Sequence, residues 1–99
     1  MSTQRLEKVR VGIVGAGAMG SVIASFFASH GGYQVTYVCD VVEKQARTLA
    51  DPFGADATTN VDELISSPKV DLVYIVTPPK FHASMSIAAL SHNKHVLVR

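Results

Sequence analysis

The 99-residue sequence predicts an α/β protein built around a doubly wound parallel sheet of five strands. Short runs rich in β-branched residues alternate along the chain with longer segments of helical composition, which is the pattern of repeated β-α-β units. The strand candidates are nearly continuous apolar runs, as expected where helices cover both faces of a sheet. Because crossovers between parallel strands are right-handed, the expected strand order is 3-2-1-4-5.

Five strands are predicted in chain order, of which the third is short and weak, over residues 9–14, 34–39, 55–58, 71–76 and 94–98. Four helices are predicted between them, over residues 18–29, 43–50, 61–66 and 81–91. Asn60 followed three residues later by Glu63 predicts a capping box at the start of the third helix. The two glycines after His30 end the first helix, and Pro68 follows the end of the third.

Composition and charge place the chain among globular proteins and exclude several classes of partner. A hydrophobic share of 47% with 17% charged residues is too apolar for disorder. Nine Lys or Arg against eight Asp or Glu leave a net charge of +1, so we expect no nucleic acid partner. Glycines interrupt the first apolar run, so we expect neither a signal peptide nor a membrane span. The single cysteine, Cys39, cannot form an internal disulfide, which favours a cytoplasmic location.

A glycine-rich loop follows the first predicted strand and opens the first predicted helix. Residues 15–20 read G-A-G-A-M-G and match the G-x-G-x-x-G pattern of dinucleotide-binding loops. In that geometry Gly15 permits the tight turn, Gly17 lets the backbone approach a pyrophosphate, and Gly20 allows close packing of helix on strand. The phosphates would bind the N–H groups at the helix start. A loop without a ligand, or a site for a methyl donor on a similar fold, remain alternatives.

An acidic residue, Asp40, ends the second predicted strand 20 residues after Gly20. This is where such folds place the carboxylate that accepts hydrogen bonds from an adenosine ribose. An anion there disfavours the 2′-phosphate of NADP, and no arginine follows the strand immediately to receive it. The sequence therefore predicts NAD as the cofactor, with NADP less favoured. The alternative for Asp40 is an ordinary cap for the helix that begins near Glu43.

Two stretches in the second half of the chain carry a recognisable pattern: residues 70–82 read VDLVYIVTPPKFH, and residues 88–98 read AALSHNKHVLV. They resemble the glucose-fructose oxidoreductase and inositol dehydrogenase (Gfo/Idh/MocA) family. The family pattern is D-x-V-x-I-x-T-P-x-x-x-H followed by A-L-x-x-G-K-H-V-L. The resemblance extends from about Arg10 to the last residue, and it implies an NAD(P)-binding Rossmann domain that a substrate domain normally follows.

The resemblance also implies site residues at the end of the fourth strand. Thr77 and Pro78 would lie against the cofactor towards its nicotinamide end, and His82 matches a recurrent family histidine at the start of the next helix. His82 is also open to interpretation as a capping or packing residue. With the loop and the ribose-binding acid, the predicted cofactor-binding residues are Gly15, Ala16, Gly17, Ala18, Met19, Gly20, Asp40, Thr77, Pro78 and His82.

Two positions depart from the family pattern. Asn93 replaces a glycine before the last strand, which is mild because asparagine tolerates a left-handed backbone. Arg99 stands where the family has a glutamate, and the family's next residue, a lysine associated with catalysis, is not in this sequence. We therefore expect residues 1–99 to be one dinucleotide-binding domain with residues 1–8 as a polar extension, truncated before the substrate domain.

The resulting functional hypothesis is the NAD-binding domain of an oxidoreductase that acts on CH–OH groups of a sugar or polyol. As an isolated chain it is expected to bind without catalysis. The alternative is a noncatalytic truncated product, or a nucleotide-sensing or interaction module with a Rossmann fold. The last strand is expected to leave an apolar sheet edge through which copies associate. Neither a metal site nor a catalytic residue is predicted.

Overall fold

Five strands and four helices alternate along residues 8–99, the part of the chain that the computed structural model describes. The predicted polar extension lies outside the described residues, apart from Lys8. The strands are β1 (Val9–Val14), β2 (Tyr33–Cys39), β3 (Asp56–Thr58), β4 (Leu72–Ile75) and β5 (His95–Val98). The helices are α1 (Ala18–Ala28), α2 (Glu43–Ala50), α3 (Val61–Ser66) and α4 (His82–Ser91).

The sheet is parallel throughout, and its order is β3-β2-β1-β4-β5, which confirms the predicted topology. Strand β1 is central: Val11 is in register with Val35 of β2 on one side and with Leu72 of β4 on the other. From β1 the first half of the chain adds β2 and β3 on one side, and the second half adds β4 and β5 on the other side. The crevice beyond the carboxyl ends of β1 and β4 is therefore the topological switch point of the fold.

Two apolar layers cover the two faces of the sheet. Helices α1 and α2 contribute to a core on one face, represented by Val11, Phe27 and Leu49. Helices α3 and α4 contribute to the other, represented by Leu64 and Ala89. This arrangement explains the continuous apolar runs of β1, β2 and β4, since each of these strands contributes side chains to both cores.

Gly12, in the middle of β1, allows α3 to approach the sheet closely. A Cβ atom on Gly12 would lie 2.8 Å from Cδ2 of Leu64, which is shorter than carbon atoms tolerate. The sequence motif did not identify this glycine because it lies inside the strand rather than in the loop. Its role is packing, and it belongs to the core rather than to the crevice.

The predicted capping box at α3 is half correct. Asn60 Oδ1 accepts a hydrogen bond from the amide of Asp62 at 3.0 Å, as a helix cap should. Glu63 does not return to the amide of Asn60, which instead donates to Thr58 Oγ1. Glu63, which is exposed, accepts a hydrogen bond from the hydroxyl of Tyr37, and Tyr37 is otherwise a buried residue. Burial together with this carboxylate raises the pKa of Tyr37 to about 12.

No predicted boundary of a helix or strand differs from the observed one by more than one residue, and there are two local departures. Two short 3₁₀ turns, Asp51–Phe53 and Pro79–Phe81, extend α2 and precede α4. Proline suits the first residues of such a turn because its φ is already fixed near the helical value. Asn93 has a φ of 61°, so the expected left-handed backbone before β5 is confirmed. Within residues 8–99, no helix combines the length and the apolar character needed to cross a bilayer.

Candidate functional site

A crevice of about 650 Å³ opens at the carboxyl ends of the central strands, a size typical of small-molecule sites. It lies where β1, β2 and β4 end and where α1 begins. Nine of the ten predicted site residues line it: Gly15, Ala16, Gly17, Ala18, Met19, Gly20, Asp40, Thr77 and Pro78. His82 is the exception, since it is not among the lining residues.

Gly15 and Gly20 are required by the backbone of the loop itself. Gly15 has a φ of +112°, a region that L side chains rarely adopt, and its amide donates to the carbonyl of Cys39 at 2.8 Å. A Cβ atom on Gly20 would lie 2.1 Å from the carbonyl oxygen of Gly15, so no other residue fits there without a shift of the backbone. These two glycines make the tight turn and seat α1 close to β1, as their motif positions predict.

Gly17 is different, because nothing in the described part of the chain requires a glycine at this position. Its φ of −74° suits any residue, and an added Cβ atom would meet no atom within 4 Å. The open space beside it belongs to the crevice. Glycine at this position therefore keeps the backbone accessible to something that approaches from the crevice.

The start of α1 presents unused hydrogen-bond donors to the same space. No side chain caps α1, and its first turn contains no acidic residue. The amides of the first turn have no intrahelical acceptor, and the helix dipole makes this end partially positive. An anionic group that binds beside Gly17 would be stabilised by both effects.

Asp40 holds the glycine loop and still has acceptor capacity. Its Oδ2 accepts a hydrogen bond from the amide of Ala16 at 2.8 Å, and its Oδ1 accepts one from the amide of Val42 at 2.9 Å. The residue that caps α2 is Val42, so Asp40 is not an ordinary helix cap. A carboxylate has about four lone-pair sites, and these two bonds leave room for a ligand hydroxyl.

The far wall of the crevice is the turn between β4 and α4. The amide of Val76 donates to the carbonyl of Val14 at 2.9 Å, and the hydroxyl of Thr77 donates to Sδ of Met85 at 3.7 Å. Nε2 of His82 lies 2.6 Å from the carbonyl oxygen of Thr77. The structure therefore brings Thr77 and Pro78 into the wall, whereas His82 contacts the backbone of that wall.

Cys39 lines the crevice beside Asp40 but is unsuited to nucleophilic chemistry. Burial, reinforced by the carboxylates of Asp40 and Glu63, raises the pKa of the Cys39 thiol to about 11. The thiol is therefore protonated at neutral pH, and a protonated thiol is a poor nucleophile. Among residues 8–99, no three His, Cys, Asp or Glu side chains form a group able to hold a metal ion.

Several residues that the sequence motifs did not identify complete the crevice. They share one property, since each lies at or soon after the carboxyl end of a strand or early in the helix that follows: Val41, Gln45, Thr59, Val61, Val76, Phe81 and Met85. Val41 is the most unusual, because this large apolar side chain is 90% exposed. Mapping all carboxyl ends of the strands would have indicated their location, whereas glycine spacing would not.

Comparison with known proteins gives one family and a consistent group of solved structures. The model of an oxidoreductase family with an NAD-binding Rossmann fold, GFO_IDH_MocA, matches residues 9–98. A glycosyl hydrolase family 109 protein of Porphyromonas gingivalis is 33% identical over 97% of this chain and 23% of its own length.

Two solved structures illustrate the structural similarity. GenD2 from gentamicin A biosynthesis, in complex with NAD, superposes with a TM-score of 0.88 at 30% identity, over 99% of this chain and 28% of that one. Myo-inositol dehydrogenase from Lactobacillus casei, with NAD(H) and myo-inositol, gives a TM-score of 0.85 at 26% identity, over 92% and 28% of the two chains. The chain thus spans about a quarter of the length of the proteins it matches.

Proposed function

The chain belongs to the Gfo/Idh/MocA oxidoreductase family and has its NAD-binding Rossmann fold, and on this basis we propose that the crevice beside Gly17 binds NAD. Residues 1–99 are proposed to act as a single cofactor-binding domain. In the whole protein, this domain would serve an oxidoreductase that acts on the CH–OH group of a sugar or polyol.

The observation that carries the proposal is the open space beside Gly17. A glycine that neither its φ nor its neighbours require is explained if a ligand must reach the backbone there. The uncapped start of α1 borders the same space, and a pyrophosphate is the part of NAD that such a helix end attracts. The residues present therefore fit the cofactor that the family implies.

The proposed orientation of NAD follows from the two ends of the crevice. Asp40 would accept hydrogen bonds from the adenosine ribose, with Val41, Thr59 and Val61 as surroundings for the adenine. The amides at the start of α1 would bind the pyrophosphate. The nicotinamide half would then extend towards Thr77 and Pro78 at the end of β4.

The substrate class is proposed from the structurally similar proteins and not from this chain's own residues. The inositol dehydrogenase of Lactobacillus casei is seen with myo-inositol, which supports a polyol or sugar for the whole protein proposed here. The crevice would hold NAD, whose nicotinamide would supply a hydride acceptor for the substrate carbon. Near Thr77 the described lining residues offer no carboxylate, lysine or thiolate to accept the hydroxyl proton, so we propose binding without turnover for residues 1–99.

A second candidate activity comes from the relatives named glycosyl hydrolase family 109 proteins. Some glycosidases use NAD during hydrolysis of a sugar. A dehydrogenase accumulates NADH with time, whereas such a hydrolase releases sugar without net NADH. Parallel assays of both products on the whole protein distinguish the two activities, and both activities require the NAD site proposed here.

Two properties of the chain in solution form part of the proposal. We propose that copies of residues 1–99 associate through β5, the outermost described strand on its side of the sheet, where Leu97 and Val98 are each more than two-fifths exposed. We also propose a cytoplasmic location, because the buried thiol of Cys39 has no disulfide partner and suits a reducing compartment.

The direct test compares Gly17→Val with Gly31→Val by calorimetric titration of NAD. Gly31 is a matched control, since an added Cβ atom there also meets nothing within 4 Å and the residue lies outside the crevice. We expect both variants to keep the circular dichroism spectrum of the parent chain. NAD binding should be lost in Gly17→Val and kept in Gly31→Val. Retained binding in both variants would remove the phosphate-binding role of the loop.

A further inference from the structure

His82 is positioned to control the wall of the crevice without lining it. Its Nε2 lies 2.6 Å from the carbonyl oxygen of Thr77, five residues earlier in the chain. A carbonyl oxygen can only accept a hydrogen bond, so this contact requires the proton on Nε2. The bond closes the turn that carries Pro78 and Pro79 between β4 and α4.

This contact is not a helix cap. The residue that caps α4 is Phe81, and no side chain accepts a hydrogen bond from the first turn of α4. The ring of His82 instead acts as a donor and reaches back to the strand end. Its hydrogen bond therefore stabilises the position of Thr77 rather than the start of the helix.

Both the carbonyl and the hydroxyl of Thr77 are thereby bonded to α4. Its carbonyl accepts from His82, and its hydroxyl donates to Sδ of Met85, about one turn further along the helix. On its other side the segment is bonded to the central strand, through the amide of Val76 and the carbonyl of Val14. The end of β4 is thus fixed between β1 and α4.

The same segment packs directly on the glycine turn. A Cβ atom on Gly15 would lie 3.3 Å from the carbonyl carbon and oxygen of Val76, which shows that the two backbones are in contact. The crevice has the glycine loop on one wall and Thr77 and Pro78 on the other. A shift of Thr77 would therefore change the width of the crevice at this end.

We propose that His82 is a positioning residue for the nicotinamide half of NAD. Its Nε2–H donates to the Thr77 carbonyl and thereby fixes the wall formed by Thr77 and Pro78. The distance between this wall and the glycine loop would then suit the nicotinamide ring. The inference rests on the proposed function, because it takes the dinucleotide to extend from Asp40 to Thr77. His82 acts through Thr77 and does not touch the cofactor.

The test uses three variants and two ligands. In His82→Gln the side-chain amide reaches about as far as Nε2 and can donate to Thr77, whereas in His82→Asn it is one bond shorter, and His82→Leu has no donor. His92→Leu is the control, since the ring of His92 contacts a carbonyl of its own helix at the far end of α4. Each variant is titrated calorimetrically with NAD and with ADP-ribose, which lacks the nicotinamide ring.

We expect His82→Leu and His82→Asn to weaken NAD binding about fivefold, which is the loss typical of one hydrogen bond. ADP-ribose binding should change by less than about twofold, and His82→Gln should recover most of the NAD affinity. His92→Leu should resemble the parent chain with both ligands. If His82→Leu does not fold, the comparison of the two amide variants decides the question, since they differ mainly in reach.

Three outcomes would overturn the proposal. Equal weakening of both ligands would show that His82 supports the fold as a whole. Unchanged NAD affinity in His82→Asn would show that the Thr77 bond is irrelevant to binding, and failure of His82→Gln to recover affinity would exclude the role of the Nε2–H donor. Failure of the parent chain to bind either ligand would instead contradict the proposed function itself.

Discussion

Asp40 illustrates how a single side chain can both build a site and remain available to a ligand. Its two oxygens hold Ala16 in the glycine loop and Val42 before α2, so it connects two segments that border the crevice. Its remaining lone pairs allow the proposed second role, in which the carboxylate would accept hydrogen bonds from the adenosine ribose. In that role its negative charge would oppose the 2′-phosphate of NADP.

Changing Asp40→Asn should weaken NAD binding and reduce the preference for NAD over NADP. The amide has one acceptor oxygen, which the loop amides would occupy, and it has no charge to repel a phosphate. Loss of a charge-assisted hydrogen bond corresponds to about tenfold or more in NAD affinity. Calorimetric titration with both dinucleotides measures the two affinities and their ratio.

The matched control is Asp56→Asn, at the first residue of β3 and therefore at the opposite end of a strand from the crevice. It removes the same charge from the chain but should leave both affinities unchanged. If Asp40→Asn keeps the full preference for NAD, then Asp40 only organises the loop, and the selectivity must come from elsewhere in the crevice.

At the scale of elements, Arg10 and Asp71 connect β1 to the start of β4. The guanidinium of Arg10 donates to both carboxylate oxygens of Asp71 at 2.9 and 3.0 Å, and the amide of Arg10 donates to Oδ2. These hydrogen bonds to Arg10 lower the pKa of Asp71 below its ordinary value of 3.8. A carboxylate whose pKa is lower in the folded state than in the unfolded state stabilises the fold at pH values above its ordinary pKa. This stabilisation is lost as the pH falls through the folded-state pKa.

Asp71→Asn should therefore lower the free energy of unfolding at pH 7 by about 1 kcal/mol, a modest value because both side chains are more than a third exposed. The difference from the parent chain should shrink as the pH is lowered from 3.8 through the folded-state pKa. Urea denaturation over this pH range measures it. If the difference in the free energy of unfolding stays constant with pH, the charge of Asp71 contributes nothing to stability. A double-mutant cycle with Arg10→Met measures the interaction energy of the Arg10–Asp71 pair.

The elements also show why some features were predictable from sequence and others were not. Strand order and helix positions follow from periodicity and from the handedness of crossovers, and both were predicted correctly. The hydrogen-bond partner of Glu63 was not predicted correctly. The local spacing of Asn60 and Glu63 favours a capping box, whereas the contact between Glu63 and the hydroxyl of Tyr37 becomes apparent only in the folded structure. Short-range patterns cannot report such a long-range requirement.

The candidate site also combines features that the sequence predicts with features that it does not. The glycine loop and Asp40 follow fixed spacings along the chain, and the structure brings them together in one crevice. The bond between His82 and Thr77 depends on the path of a turn with two prolines, and the exposure of Val41 depends on how α2 leaves the sheet. These features require coordinates, since no spacing rule specifies them.

At the scale of the whole molecule, β5 is the outermost strand on its side of the sheet among the described residues, and its Leu97 and Val98 are exposed. The amides of His95 and Arg99 donate to the carbonyls of Asp71, just before β4, and Ile75, its last residue. Because alternate amides of a strand point to opposite sides, the amide of Val98, next to Arg99, faces away from β4. Beside this edge, Met19, Val22 and Leu97 line a second cavity of about 680 Å³. Exposed edges of this kind pair between molecules.

We expect the chain to associate with increasing concentration and Val98→Pro to reduce that association. Proline removes the outward amide of β5 without removing a bond to β4. Sedimentation velocity over a concentration series measures the association. Val22→Lys serves as the comparison, because it introduces a charge in the cavity and leaves the edge intact. A parent chain that stays monomeric, or association abolished by Val22→Lys alone, would contradict pairing through the edge.

Residues 1–99 should show no dehydrogenase turnover with sugars or polyols. Hydride transfer needs a substrate held near the nicotinamide ring and a group that accepts the hydroxyl proton, and the described lining residues near Thr77 supply no such acceptor. Absorbance of NADH over a panel of polyols tests this expectation. Cofactor-dependent turnover that is lost in His82→Ala would contradict it and would make His82 a catalytic residue.

The buried thiol of Cys39 allows the local opening of the crevice wall to be measured by the rate of chemical labelling. It is the chain's single cysteine, it is 4% exposed, and it lies beside Asp40 in the crevice wall. A thiol reagent reaches it mainly when the end of β2 opens locally, so the labelling rate reports the free energy of that opening. A dinucleotide that bridges Asp40 and the glycine loop would slow the labelling, which allows ligand occupancy to be followed without a spectroscopic probe.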